Sequence, residues 1–424
     1  MGTVKTVVYI TTNYLQWATS AVIASVRESG VRMVLITYKG EPVNPNLAPY
    51  FDQIIPVDAA LDEGVRPVLH FAEVLFAVKR EIQLVGGSHA IRLLCQEEGN
   101  VHHVAKVREQ LGIIGDTATM VERFRNKLIM KQAVADAGIR IPKHCAFDFN
   151  AYKTAPEHYY EKLREQLGPR LVLKPVDAAG SLNVSIIDQF ADLKMACAGL
   201  EISPYVFDYE VDEFIDGVMY QTDSFVHQGR IEFAGTFELG CTNFDFVLGK
   251  PLTGFPALDP ALKKKLEDYN TRVIQALGMQ NGCTHHEFFL DRKTGEPIFL
   301  EIACRAPGGV GVYFHIKNKN FNLMDAYLIQ NAAPHMLEAL KVETRDNVVA
   351  ALLPVGHGRV VSLQEPDVKS SYDIRWLIET GRLVDSRTIA DAAGILTMHN
   401  NDLTQLRVDF EALQSYQPVV CVPE

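Results

Sequence analysis

No stretch of about 18 apolar residues occurs in this chain, so no helix able to span a bilayer is expected. The first residues, Met1-Gly-Thr-Val-Lys-Thr-Val-Val-Tyr-Ile-Thr-Thr, read as an immediate strand; the charged start, apolar core and cleavage site of a secretory leader are missing. Positive charge is also short, with 41 lysines and arginines against 52 acidic residues and a formal net charge of −11. Such a surface repels a phosphate backbone and no local basic patch offsets it, which points to small-molecule substrates and away from nucleic acid and membranes. The 7 cysteines, Cys95, Cys145, Cys197, Cys241, Cys283, Cys304 and Cys421, are scattered without a Cys-x-x-Cys pair. That argues against a disulfide framework and a structural zinc site, and for reduced thiols in a cytoplasmic protein.

Several catalytic signatures are missing too. There is no Gly-x-x-x-x-Gly-Lys-Ser/Thr run, which excludes a P-loop by its own spacing. His285-His286-Glu287 begins like a zinc helix, but Leu290 stands where the second ligand belongs and the surroundings look strand-like. No serine elbow or cysteine nucleophile emerges. Gly308-Gly309-Val310-Gly311 is a weak glycine signal whose default explanation is a tight turn after a strand.

What is present is a chain of 424 residues, 47% hydrophobic and 22% charged, with no low-complexity tract and enough length for two or three domains. Val7 to Ile10, Met33 to Ile36, Gln53 to Val57 and Ile91 to Cys95 are short apolar runs. They alternate with helical spacing over Trp17 to Glu28 and His70 to Val85, which predicts an α/β, doubly wound parallel sheet. Gln96-Glu97-Glu98 would sit at a carboxyl strand end, where open sheets place ligands, or form a solvated acidic turn. The spacing from Thr117 to Ile139 predicts one long amphipathic helix with Lys127 off its apolar face, as an exposed lysine would be. Pro156 to about Phe207 predicts a small α/β lobe in which Arg170 to Lys174 pairs with Asn183 to Ile187. Tyr209 to Gly217 and Met219 to Val226 read as two strands about a turn, Ala261 to Leu277 as a helix, and Thr284 to Asp291 with Pro297 to Ile302 as a hairpin. A helix near Phe321 to Gln330 follows, then short strands to the end.

The chemistry concentrates in Lys174-Pro-Val-Asp-Ala-Ala-Gly-Ser-Leu-Asn-Val184 and in Glu287 and Glu301-Ile-Ala-Cys-Arg305. A lysine at a strand end precedes small residues whose backbone N–H groups can approach phosphate oxygens. Two later carboxylates could hold the magnesium that such phosphates require, provided Glu287 and Glu301 share a sheet face.

In that order, lysine before a small-residue hairpin, Asp-Glu-Phe-Ile-Asp-Gly, a glutamate, then Glu-Ile-x-x-Arg before Pro-Gly-Gly, the chain resembles the ATP-grasp superfamily. The similarity is to its carboxylate-amine ligases, above all L-amino acid ligases that make dipeptides, and to the biotin carboxylase-like group; by motif it covers about Ile91 to Gly311. The resemblance implies a pre-ATP-grasp α/β domain over 1–115, an ATP-grasp core over 116–335 (small lobe about 140–207, large lobe about 208–335) and a small α+β closing domain over 345–424. It implies ATP and magnesium, or manganese in its place. Lys127, in Arg125-Asn126-Lys127, and Lys174 would contact the phosphates, and Ala178, Ala179, Gly180, Ser181 and Leu182 would form the loop over them. Asp212, Glu213, Phe214 and Ile215 would hold the adenine, Glu287 and Glu301 the metal, and Arg305 the transferring phosphate. Gly308 and Gly309 would offer N–H groups to a substrate carboxylate, and His285 or His286 would help deprotonate the amine. Met219 stands where many members have a ribose-binding glutamate, Ala303 where they have a metal-binding asparagine, and Asp212 replaces the commoner glutamate. The expected activity is ATP-dependent joining of a carboxylate to an amine, with a biotin carboxylase-like bicarbonate-phosphorylating enzyme and a catalytically silent nucleotide sensor as alternatives. Relatives are often dimers, so a homodimer is expected.

Overall fold

The early apolar runs pair as parallel strands in a computed structural model, which describes residues 3–11, 15–40, 42–62, 66–201 and 208–423. Strands β1 (Thr6–Ile10), β2 (Arg32–Tyr38) and β3 (Gln53–Val57), the hairpin β4 (Ala59–Asp62) and β5 (Arg66–Leu69), and β6 (Ile91–Leu94) follow in sequence. The first sheet has the order β3-β2-β1-β6, all parallel. Successive side chains point to opposite faces. Val8, Ile10, Val34 and Ile36 therefore pack against the helices Phe71–Val85 and Val101–Leu111, while Val7, Tyr9, Met33 and Leu35 pack against Ile23 and Val26 of the helix Ser20–Glu28. The doubly wound expectation holds. Met1, Gly2 and Thr12 of the expected first strand, and the lobe boundary at 207, lie outside the described residues.

The long helix expected over 117–139 is two: Ala118–Glu122 and Lys127–Asp136. The physical reason is Asn126, which adopts extended backbone and accepts hydrogen bonds through its side chain from the N–H groups of Leu128 and Ile129, capping a new helix. Lys127 becomes its first residue and is buried, not exposed.

A small antiparallel sheet follows from β7 (His144–Ala146), β8 (Leu171–Pro175), β9 (Ser185–Ile187) and β10 (Tyr209–Glu213), in the order β7-β10-β8-β9. Leu171, Leu173, Ile187 and Val211 face a core shared with Tyr160, Leu163 and Leu193 from its helices. By alternation Lys174 and Asp212 look the other way.

Strands β11 (Gly217–His227), β12 (Arg230–Leu239), β13 (Leu252–Pro256), β14 (Gly282–Asp291) and β15 (Pro297–Ala303) belong to a second antiparallel sheet. Thus β10 and β11, read in the sequence as two strands about a turn, lie in different sheets, and Phe214 to Asp216 carries the chain between them. One face of the large sheet, with Tyr220, Phe288 and Phe299, packs on Leu266, Tyr269 and Val273 of the helix Pro260–Leu277. The opposite face carries the polar residues Gln221, Asp223, His285, Glu287 and Glu301. Gly308 and Gly309 do not make a simple turn: they open the helix Gly309–Lys319. The next helix, Leu323–Ala332, is apolar nearly all round because it lies between the two sheets, touching β1 and β6 on one side and β11 and β14 on the other.

At the C-terminal end are β16 (Val348–Pro354), β17 (His357–Leu363), β18 (Ser371–Trp376), β19 (Leu383–Asp385), β20 (Ala392–His399) and β21 (Val419–Val422). Of these, β16, β20 and β18 continue the large sheet, giving β15-β14-β11-β12-β13-β16-β20-β18, while β19-β17-β21 form a separate small sheet beside the helix Leu403–Ala412. Among the described residues no helix is long and apolar enough to cross a membrane.

Candidate functional site

A cavity of about 480 Å³ lies between the small sheet and the large one. One end is apolar, lined by Val172, Ile186, Phe214, Met219, Phe289 and Leu300, and the other is charged, with Lys127, Lys174, Glu287 and Glu301. An apolar slot running into a charged pocket suits a flat heterocycle attached to a polyanion.

The carboxylate wall comes from one hairpin. In the β14–β15 register Glu287 pairs with Glu301, so the two side chains share a face. A bulge follows immediately, because Phe288 pairs with Phe299 and leaves Leu300 as the extra residue. Leu300 and Glu301 therefore both reach the cavity although they are sequence neighbours.

The cationic wall comes from Lys127 and Lys174. Lys127 donates to the Ala178 carbonyl at 2.6 Å and lies 3.3 Å from Glu301. Its backbone N–H donates to the Val176 carbonyl, so the capped helix is tied to the root of the small-residue loop. In that loop Ala178, Ala179 and Ser181 line the cavity; Gly180 and Ser181 are in the left-handed region, with φ of 69° and 59°. A non-glycine residue there carries strain, a feature that clusters at ligand-binding turns.

Lys174 Nζ lies 2.8 Å from Asp212 and 3.6 Å from Glu210, and Lys131 contacts the same two carboxylates, lying 2.9 Å from Glu210. This four-charge cluster is buried. Burial alone would lower the Lys174 ammonium, but Asp212 and Glu210 hold its pKa above the ordinary lysine value. Burial pushes Asp212 up, yet Lys174 and Lys131 outweigh it and keep the carboxylate below its usual range. Glu301 is likewise held low: burial opposes ionisation, and Lys127 and Lys174 more than compensate. Lys174 is thus a fixed cation, and Asp212 reaches the cavity as a lysine partner. Lys131 and Glu210 are absent from the motif reading; the signal for Lys131 is its place four residues after Lys127, on the same helix face.

The segment Glu213-Phe214-Ile215 lines the cavity at the crossing between sheets, with the Arg170 guanidinium 4.0 Å from the centre of the Phe214 ring. Asn243, another residue the sequence reading did not single out, donates to both oxygens of Glu287 at 2.9 and 3.1 Å.

Arg305 lies outside the cavity lining. Its guanidinium holds Glu98 through Nε and Nη2, both at 2.9 Å, and Arg125 reaches the other Glu98 oxygen at 3.0 Å while also contacting Asp177 of the loop. The acidic turn after β6 is therefore an anchor for two arginines. Gly308 caps and Gly309 begins an 11-residue helix, and the first N–H groups of a helix have no partner four residues back in the helix itself.

The two histidines separate by strand alternation. His286 is fully buried on the far face, with Nδ1 against Asn270 and its pKa lowered to about 3 by burial and by the neighbouring His285. His285 turns Nδ1 to Asp223 at 2.9 Å and Nε2 to Glu287 at 3.3 Å. Burial opposes its charge, but those two carboxylates raise its pKa to about 9. Neither ring nitrogen of His285 is open to accept a proton from an amine in the cavity.

Among the described residues no group of three or more His, Cys, Asp or Glu side chains could hold a metal ion. Glu287 and Glu301 alone fit magnesium that arrives with phosphates, because that ion takes one or two carboxylates and completes its shell with water and phosphate oxygens.

Against this geometry, residues 168–313 match the model of the ATP-grasp domain. That segment is similar to an ATP-grasp domain. The matched segment spans β8 and its loop, the crossing, and the β14–β15 hairpin. Alanine–anticapsin ligase of Bacillus subtilis strain 168 is 29% identical over 229 residues, 48% of this chain and 46% of that protein. The chain spans about half the length of the alanine–anticapsin ligases it matches. Among solved structures, the L-amino acid ligase from Bacillus licheniformis superposes with a TM-score of 0.72 at 19% identity over 100% of both chains. N5-carboxyaminoimidazole synthetase from Staphylococcus aureus, complexed with ADP, gives 0.65 at 14% identity over 98% of both. These two likenesses show that the chain shares its fold with those structures over nearly its whole length.

Proposed function

We propose that this protein is an ATP-dependent ligase that activates a carboxylate as an acyl phosphate and joins it to an amine, an amino acid being the favoured acceptor. The observation that carries the reading is the pairing of Glu287 with Glu301 on one sheet face, opposite Lys127 and Lys174 under a small-residue loop, in a cavity with an apolar end. The matched relatives include an amino-acid ligase and the superposed structures another, which supports this substrate class.

The chemistry follows from charge. A carboxylate is a poor electrophile, and transfer of a terminal phosphoryl group to it requires neutralising crowded negative oxygens. Lys127 and Lys174 supply positive charge at the phosphates, and the backbone of Ala178 to Ser181 covers them. Phe214, Ile215 and the backbone beside Glu213 receive the adenine. Magnesium held by Glu287 and Glu301 would add charge neutralisation between the phosphates. The substrate carboxylate oxygen takes the γ-phosphoryl group as the bond from that phosphorus to the ADP oxygen breaks; the amine then attacks the acyl carbon, and the departing phosphate carries away the proton that the amine nitrogen loses. Arg305 and the N–H groups at Gly308 and Gly309 are assigned to the anionic substrate and intermediate. No enzyme nucleophile is needed.

The test is phosphate release from ATP across amino-acid pairs, with and without bicarbonate. The ligase reading expects release that depends on both an acid and an amine and yields an amide by mass spectrometry. Bicarbonate-dependent ADP formation would favour a carboxylase instead, and nucleotide binding without any release would make the protein a sensor.

A further inference from the structure

Behind Glu287 the sheet buries a second polar cluster that the proposed reaction does not use. In the β11–β14 register Gln221 pairs with Glu287 and Asp223 with His285, all on the cavity face of the sheet. Asp223 is fully buried and does not line the cavity. One of its oxygens faces His285 Nδ1 at 2.9 Å; the other accepts from Gln221 Nε2 at 2.7 Å and faces His315 Nε2 at 2.6 Å, from the helix Gly309–Lys319. His285 in turn sets Nε2 3.3 Å from Glu287 Oε1.

Two glycines make room for this arrangement. A Cβ on Gly235 would come within 2.4 Å of the His315 ring, and one on Gly311 within 2.8 Å of Gln221 Nε2. Neither ring nor amide can retreat without leaving Asp223, so the backbone around the cluster is shaped to keep that carboxylate in place.

We propose that Asp223 is a positioning residue for Glu287, acting through His285: it fixes the imidazole ring so that Nε2 stands 3.3 Å from Glu287 Oε1 and, together with the Asn243 amide that donates to both oxygens, sets the direction in which the carboxylate faces the cavity. The proposal rests on the reading of Glu287 as a metal ligand. Carboxylate–imidazole pairs behind a metal site act in this way, and their loss weakens metal binding by about 10- to 100-fold. His315 and Gln221 satisfy the other oxygen of Asp223 and keep it from rotating.

The experiment measures Mn²⁺ binding in the presence of ADP, by electron spin resonance of the free ion, with no acid or amine substrate present. Asp223→Asn should bind Mn²⁺·ADP about 10- to 100-fold more weakly while binding ADP alone unchanged. Two His285 variants make the result independent of how well Asp223→Asn folds. Glutamine places its amide nitrogen near the Nε2 position and can still hold Glu287, whereas asparagine reaches only as far as Nδ1. His285→Gln should therefore bind Mn²⁺·ADP more tightly than His285→Asn. Equal losses in the two variants, or a folded Asp223→Asn protein with undiminished Mn²⁺·ADP affinity, would overturn the proposal. Because no ligation is measured, that outcome leaves the ligase reading intact. Mn²⁺·ADP binding without amide synthesis by the unchanged protein would count against the ligase and not against Asp223.

Discussion

At the scale of single residues, the site depends on charges whose state is fixed by neighbours and not by the medium. Lys174 keeps its proton because Asp212 and Glu210 offset the cost of burial. Removing it should lower amino-acid-dependent phosphate release about 100- to 1,000-fold, the usual effect of deleting one charge-stabilising donor. Lys79→Ala, on an exposed helix face, should leave the rate unchanged; a Lys174→Ala protein with full turnover would refute the assignment. Asp212 carries the structural side of the same cluster. Truncating one partner of a buried ion pair costs about 3–5 kcal/mol, so Asp212→Ala should show a large drop in urea midpoint. The sign with pH also follows. A carboxylate whose folded pKa lies below its ordinary value contributes stability that is complete above that value, 3.8 here, and is lost as the pH falls through the folded one. Asp212→Asn should lose stability less steeply below pH 3.8 than the unchanged protein, in melts collected across that range.

Among the elements, the two whose sequence patterns were least legible position the site. Periodicity over 117–139 is continuous, so it hides the break at Asn126; the cap is a local hydrogen-bond choice that apolar spacing does not encode. Asn126→Ala should cost about 1 kcal/mol in denaturant unfolding and raise the KM for ATP, because Lys127 is the first residue of the helix that Asn126 caps. A variant of unchanged stability and KM would show that the helix start is held by other contacts. The helix Gly309–Lys319 was hidden because glycines at its start mimic a turn and its buried residues leave no polar stripe to reveal its period. The β14–β15 hairpin was legible for the opposite reason. Two apolar runs about a polar turn fix a strand pair, and alternation then sets Glu287 and Glu301 on one face, although the bulge at Leu300 is not encoded in that pattern. His285 shows the limit of adjacency: strand alternation put it beside Glu287 and separated it from His286, and the carboxylate that occupies its far side, Asp223, lies 62 positions away.

For the whole molecule, the cavity exists because two sheets meet at the crossing from β10 to β11. Motif order revealed both walls, whereas the long-range contacts that brace them, such as Arg305 with Glu98 across 207 positions, could not be read from local pattern. A ligand bound only by the folded protein stabilises it by about 2.7 kcal/mol at a hundredfold excess over its Kd. ATP with magnesium should raise the melting temperature of the unchanged protein and leave that of Lys174→Ala almost unmoved; an equal shift in both would separate nucleotide binding from this cavity. The central claim, that a carboxylate accepts the terminal phosphoryl group of ATP, is tested most directly with an acid labelled with ¹⁸O in its carboxylate. During amide formation one labelled oxygen should appear in the released inorganic phosphate, in a one-to-one ratio with ADP. Label that remains in the acid, or leaves in AMP, would contradict the account.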